Sequence, residues 1–330
     1  MIDRRAFIGG LLAAGGASIG ARSVAAEAPP ETTRLRVHHS QSLCLAPQYV
    51  AEDLLRGEGF TEVQFVRPYG PTGLYQALSS GEADIGNDFA PAVTIRLDRS
   101  EPLVILAGVH VGCFELFGTE RVRTIRDLKG KMVGVRGLET PPHLFLASMV
   151  AHVGLDPRKD IVWTVHPPGE SMRLLAKGEI DAFMGFPPEP QQLRSKQIGR
   201  VVVNSAVDRP WSQYFCCMAV ANREFVRKHP VATKRALRAI LKAADLCALE
   251  PERAARSLVE KGVIDRYDYA LQTMKDVVYT KWREYSPEDT VRFYALRLQE
   301  AGMVKASPQK LIAQGTDWRF LDELKRELKG

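Results

Sequence analysis

Long apolar runs are missing from this chain after its first 26 residues. A membrane-spanning helix needs about 20 consecutive apolar residues, so the remainder is expected to be soluble. Cysteine is sparse and awkwardly placed: Cys44, Cys113, Cys216, Cys217 and Cys247 make an odd number, which does not suit a disulfide framework. No C-x2-C spacing occurs among them, so no structural zinc site and no metal are expected. Cys216 and Cys217 are adjacent and, in a regular strand, point to opposite faces. All five read as small buried residues.

Charge of one sign is also lacking. Lys and Arg number 45 against 39 Asp and Glu, and basic residues alternate with acidic ones, as in Arg253, Arg256 and Glu260. Such a pattern describes a solvated helix face, and no nucleic-acid partner is expected. No Ser/His/Asp grouping, G-x-S-x-G elbow, phosphate-binding P-loop or G-x-G-x-x-G turn stands in a persuasive context, so no catalytic residue is nominated.

What is present begins at the N-terminus. Asp3-Arg4-Arg5-Ala6-Phe7-Ile8 precedes an uncharged stretch from Gly9 to Ala21, then Arg22 and small residues up to Ala26. Residues 1–26 thus resemble a twin-arginine signal peptide, with cleavage expected after Ala25, Ala26 or Ala28. The mature protein is expected in the periplasm. A chain exported already folded forms its core in the reducing cytoplasm, consistent with free thiols.

Beyond a flexible leader at 28–33, short β-branched runs alternate with amphipathic segments, the pattern of a parallel, doubly wound sheet. Strands are expected at Leu35–His39, Val63–Arg67, Ala83–Gly86 and Leu103–Val111, the last running on through Leu116. The pattern restarts at Thr124–Lys131, with strands at Met132–Val135, Ile161–Val165, Ala182–Phe186 and Arg200–Val203. A second extended crossing at Gln213–Ala221 leads into a helical tail, Phe225–Lys329. The fold class expected is α/β: a two-lobed clamshell of two doubly wound sheets, a two-segment hinge and a helical C-terminal tail on lobe one. Lobe one would comprise 34–113 plus 219–330, and lobe two 114–218.

Four segments carry a family resemblance: Leu45-Ala46-Pro47-Gln48-Tyr49-Val50-Ala51, Leu78-Ser79-Ser80-Gly81-Glu82-Ala83-Asp84-Ile85-Gly86, Ile125-Arg126-Asp127-Leu128-Lys129-Gly130-Lys131-Met132-Val133-Gly134-Val135, and Leu174-Leu175-Ala176-Lys177-Gly178-Glu179-Ile180-Asp181-Ala182. In order and spacing the chain resembles the periplasmic solute-binding proteins for nitrate, sulfonates, taurine and thiamine-pyrimidine precursors. The resemblance implies a type II-like periplasmic binding protein fold, no catalysis and no cofactor. It also implies a monomer that carries a small-molecule ligand to an ABC importer permease. Some relatives of this fold make the thiamine pyrimidine from a pyridoxal cofactor, which requires a lysine beside a histidine in the cleft. A ligand-presenting sensor accessory is the other alternative, separable by whether an ATPase and permease or a histidine kinase is encoded nearby.

In open α/β sheets ligands bind beyond the carboxyl ends of the strands. The junctions there nominate Ser42, Cys44, Tyr69, Thr72, Asp88, Phe89, Arg136, Thr140, His143, Phe186 and Glu189, with Glu115 and Tyr214 near the crossings. Thr72, Asp88 and Thr140 read as helix N-caps, whose free N–H groups suit an anion. The carboxylates of Asp88, Glu115 and Glu189 argue against a bare anion. A sulfonate- or taurine-like zwitterion or a nitrogen heterocycle suits the mixture better, with Phe89, Phe114, Phe186, Tyr69 and Tyr214 as flat walls.

Overall fold

A computed structural model describes residues 27–39, 42–67 and 73–328, without the side chains of 73–75. The signal segment 1–26, Tyr69 and Thr72 lie outside the described residues. Among the described residues, ten strands form two five-stranded sheets. The first takes β1 (Arg34–His38), β2 (Glu62–Val66), β3 (Ile85–Phe89), β4 (Leu103–Val111) and β10 (Phe215–Asn222), in the order β2-β1-β3-β10-β4. The second takes β5 (Glu115–Gly118), β6 (Met132–Val135), β7 (Val162–Val165), β8 (Ala182–Gly185) and β9 (Arg200–Asn204), in the order β7-β6-β8-β5-β9.

The two orders are the same once β5 and β10 are matched, and these two strands are the departure from a wholly parallel expectation. β5 pairs antiparallel with β8 and β9, and β10 pairs antiparallel with β3 and β4. Each follows a crossing from the opposite lobe. A chain arriving across the cleft meets the carboxyl edge of the parallel strands, so it must run against them. All of Phe215–Asn222 belongs to the first sheet, whereas the sequence-based boundary at 218/219 cut through it.

Repeated sequence does repeated work. In each L-x-x-G-E-x-D segment the glycine adopts left-handed geometry, Gly81 at φ +77° and Gly178 at φ +69°. Asp84 then accepts the N–H of Arg36 in β1 at 2.7 Å, and Asp181 that of Met132 in β6 at 2.9 Å. Each carboxylate also holds an arginine, Arg36 or Arg121. Both segments thus tie the third parallel strand of a lobe to its first.

β4 is buried over all nine residues, because helices cover both faces of its sheet. The first crossing breaks the expected continuous strand at Gly112, whose φ is +55° and where a Cβ would lie 2.2 Å from Ala206 Cα. Ser205 fastens the crossings together. Its buried hydroxyl accepts from the N–H groups of Cys113 and Phe114 at 3.2 and 3.0 Å and donates to the Phe114 carbonyl at 2.9 Å.

The expected flexible leader is pinned instead. Glu27 pairs with Arg238 at 2.8 Å, and Glu31 accepts from the N–H groups of Val231 and Ala232 at the start of helix Pro230–Leu249. That helix presents Ala232, Ala236, Ala239 and Ala243 inward, which lets it sit close on the first lobe. The tail also reaches lobe two: helix Tyr267–Asp276 meets helix Glu189–Ser195, and helix Pro287–Glu300 meets helix Pro141–His152. No helix among the described residues is long and apolar enough to cross a membrane.

Candidate functional site

Where the strand ends of the two sheets face each other, a half-open cavity of about 70 Å³ is lined by Ser42, Cys44, Leu45, Asp88, Phe89, Cys113, Phe114, Pro141, Phe186 and Cys217. Ser42, Cys44 and Leu45 come from the 3-10 turn Leu43–Leu45 and its cap, and Asp88 and Phe89 from the end of β3. Phe114, Pro141 and Phe186 come from beyond the first crossing. Both lobes therefore contribute walls.

The lining is mostly apolar. Phe89 meets Phe114 at 4.9 Å between ring centroids, and Phe114 meets Phe186 edge-on at 5.6 Å. Asp88 is half-buried, and its carboxylate accepts the N–H of Phe89 at 2.7 Å. Ser42 Oγ lies 3.0 Å from Cys44 Sγ. Burial pushes the thiols of Cys44 and Cys113 above the usual range, keeping them protonated at neutral pH.

Behind Phe186, Arg136 pairs with buried Glu189 and lies 4.3 Å over the Phe186 ring. The second Glu189 oxygen accepts the Phe186 N–H at 3.1 Å. Burial raises the Glu189 pKa against the opposing pull of Arg136. The pair holds Phe186 in place and leaves Arg136 engaged, and the described lining residues include no cationic side chain. Glu115 is likewise committed, to Arg194, and burial raises its pKa despite that arginine. Arg194 also holds Asp276 of the tail, to which Gln191 donates at 2.9 Å, so Asp276 latches the two lobes together.

Of the nominated residues, the fold gathers Ser42, Cys44, Asp88, Phe89 and Phe186 on the cavity, with Arg136 and Glu189 directly behind. Glu115, Thr140, His143 and Tyr214 are placed elsewhere. Thr140 occupies the N-cap position of helix Pro141–His152, yet its hydroxyl donates to the Gly137 carbonyl at 2.6 Å instead of capping. His143 accepts the Glu139 N–H at 3.1 Å, packs against Trp163 and is lowered in pKa by burial. It borders a separate cavity of about 340 Å³ with Arg96, Arg99 and Arg158. Tyr214 stacks on Phe293 at 3.9 Å and lines another groove.

Sequence reasoning missed Leu45 as a lining residue, along with Cys113 and Cys217. The usable signal was that the cysteines stand at both crossings. It missed His110 altogether, a fully buried histidine in β4 beneath the thiols. Adjacent Cys216 and Cys217 do not diverge as a regular strand requires. The pairing of β10 with β4 shifts register between Phe215 and Met218, and this bulge leaves their sulfurs 3.9 Å apart.

Comparison with known proteins adds the following. A family model described as NMT1/THI5 like matches residues 46–254. The curated 4-amino-5-hydroxymethyl-2-methylpyrimidine phosphate synthase THI13 of Saccharomyces cerevisiae is 22% identical over 238 residues, 67% of this chain and 66% of that protein, just short of two thirds of its length. Among solved structures, the periplasmic nitrate-binding protein NrtA from Synechocystis PCC 6803 superposes with a TM-score of 0.74 at 15% identity, over 92% of this chain and 90% of that one. The periplasmic aliphatic sulphonate binding protein SsuA from Escherichia coli superposes with a TM-score of 0.69 at 17% identity, over 85% and 92%. These superpositions establish the two-lobed fold.

Proposed function

The chain belongs to the NMT1/THI5-like family, and from that premise we propose that it is the substrate-binding component of an ABC importer. It would capture a small organic solute between its lobes and present the closed form to a membrane permease. The observation that carries this reading is the cavity at the strand ends, walled by both lobes and lined by aromatic rings around one carboxylate. A site that closes by lobe movement uses binding energy to shift a conformational population and needs no reacting group.

The lining narrows the solute class. Arg136 is held by Glu189 behind the wall, and the described lining sets the carboxylate of Asp88 beside Phe89, Phe114 and Phe186. A carboxylate among rings suits a flat nitrogen heterocycle carrying N–H donors better than a sulfonate or nitrate, which it would repel. The names of the yeast relatives favour a second reading, a pyrimidine-forming enzyme of the same fold. Against it, the described lining residues include no lysine.

Export through a twin-arginine signal to the periplasm is part of the same proposal. Glu27 bonds Arg238, Lys234 and Arg235, which supports cleavage at or before Ala26 over cleavage after Ala28. A thermal-shift screen of the mature protein with pyrimidines, aromatic acids, taurine, alkanesulfonates and nitrate tests the assignment. Heterocycles should raise the midpoint, by mass action, more than the anions do. Stabilisation by nitrate or sulfonates alone would remove Asp88 from the solute site.

A further inference from the structure

The floor of the cavity holds a cluster that solute capture leaves unused. Cys44, Cys113, Cys216 and Cys217 surround His110, and all five are buried. The ligand atoms of Cys44, His110 and Cys113 lie within 4.8 Å of one another, as do those of His110, Cys216 and Cys217. The sulfurs of Cys113 and Cys216 are 3.3 Å apart, and those of Cys216 and Cys217 are 3.9 Å apart. A tetrahedral centre with metal–sulfur bonds of about 2.3 Å sets sulfurs about 3.8 Å apart, so these thiols already stand near coordinating distance.

His110 is the second, independent sign. It is 0% exposed, and the polar groups that face its ring are the thiols of Cys44 and Cys217. An imidazole enclosed by thiols is placed to share a soft metal ion with them. Its neighbours are held in place: the Tyr279 ring packs 5.6 Å from it, and the Tyr279 hydroxyl donates to the Cys44 carbonyl at 3.0 Å.

We propose that this cluster binds a thiophilic closed-shell metal ion, Zn2+ or Cu+, held by His110 and cysteine thiolates where the two crossings meet. Soft thiolates with one imidazole select these ions over hard cations. Cys113 stands on the first crossing and Cys216 and Cys217 open the strand after the second, so an ion there would fasten the hinge. Cys44, Cys113 and Cys217 also line the cavity, which gives the ion a route in from the cleft. Binding is acid–base chemistry without electron transfer: a coordinating thiol gives its proton to solvent and a sulfur lone pair to the metal. A buried centre is least costly when neutral, which calls for two thiolates on Zn2+ or one on Cu+. Sequence spacing concealed the site because its ligands come from three separate segments, and the bulge brings the adjacent pair together.

The test is independent of any solute. Mature protein, metal-free, reduced and kept anoxic, is titrated with Co2+ as a spectroscopic probe and then with Zn2+ or Cu+. The expected result is sulfur-to-cobalt charge-transfer absorption that saturates at about one equivalent and is bleached by either ion. Zn2+ should release about two protons per ion and Cu+ about one. His110→Ala and Cys113→Ser should each weaken Zn2+ binding at least about tenfold, and Cys247→Ser should not. Circular dichroism checks that each variant folds, and Cys216→Ala replaces any that does not. Absence of the charge-transfer band in folded protein overturns the site. So does undiminished Zn2+ binding after both Cys113 and Cys216 are replaced.

Discussion

Replacing Asp276 with Ala should open the ligand-free protein without unfolding it. Asp276 ends helix Tyr267–Asp276, where its carboxylate opposes the helix dipole by about 0.3–1 kcal/mol but also accepts from Gln272 at 2.7 Å, an i,i+4 contact of about 0.2–0.5 kcal/mol, so its removal is neutral to slightly favourable for the helix. Across the lobes the sign reverses. Gln191 donates to Asp276 at 2.9 Å, and a bond to a charged acceptor contributes about 1.5 kcal/mol. The Arg194 pair is about a third exposed, so screening limits it to roughly 0.5 kcal/mol. Losing both costs the closed form about 2 kcal/mol, a shift of roughly 30-fold toward open. Arg194 keeps Glu115, so lobe two retains its buried pair. Small-angle scattering of the ligand-free variant should show a larger radius of gyration, and the affinity for a stabilising solute should fall by up to the same factor. The thermal midpoint should hardly move. Unchanged scattering and affinity would refute the latch, and a large drop in the midpoint would mean that Asp276 supports the fold itself.

Four further substitutions probe particular contacts. Gly112→Ala places a Cβ against Ala206 at a left-handed position and should cost about 2–4 kcal/mol in chemical denaturation; a smaller loss would show that the crossing is plastic. Hydrogen bonding and charge from Arg238 outweigh burial at Glu27 and depress its pKa below 4.5, so its contribution is present above that pH and fades as pH falls through the folded value. The stability gap to Glu27→Gln, about 1 kcal/mol or less at pH 7 for this partly exposed pair, should close in acid; a gap that widens in acid contradicts the pairing. Asp88→Asn should weaken solute binding more than it lowers apo stability. Tyr214→Ala, by removing the stack on Phe293, should do the reverse.

Periodicity made the parallel strands legible, because their apolar runs answer to local rules of burial. The antiparallel β5 and β10 were not legible, since their direction is set by which lobe the chain comes from. Residue type and position at strand ends nominated Asp88, Phe89 and Phe186, which line the cavity. The same reasoning could not see that Arg136 and Glu115 are engaged by Glu189 and Arg194, which lie 53 and 79 residues further along the chain. Nor could it see that the Tyr214 ring stacks on Phe293 of a tail helix. The thiol cluster was hidden for a different reason: a register shift in one strand decides where two neighbouring sulfurs go.

The central claim is reversible capture without chemistry. Native mass spectrometry of the mature protein with a stabilising heterocycle, followed by denaturation and weighing of the released molecule, examines it directly. A one-to-one complex and a solute of unchanged mass are expected. Release of a chemically altered molecule, or failure to form any complex with a solute that shifts the thermal midpoint, would contradict it.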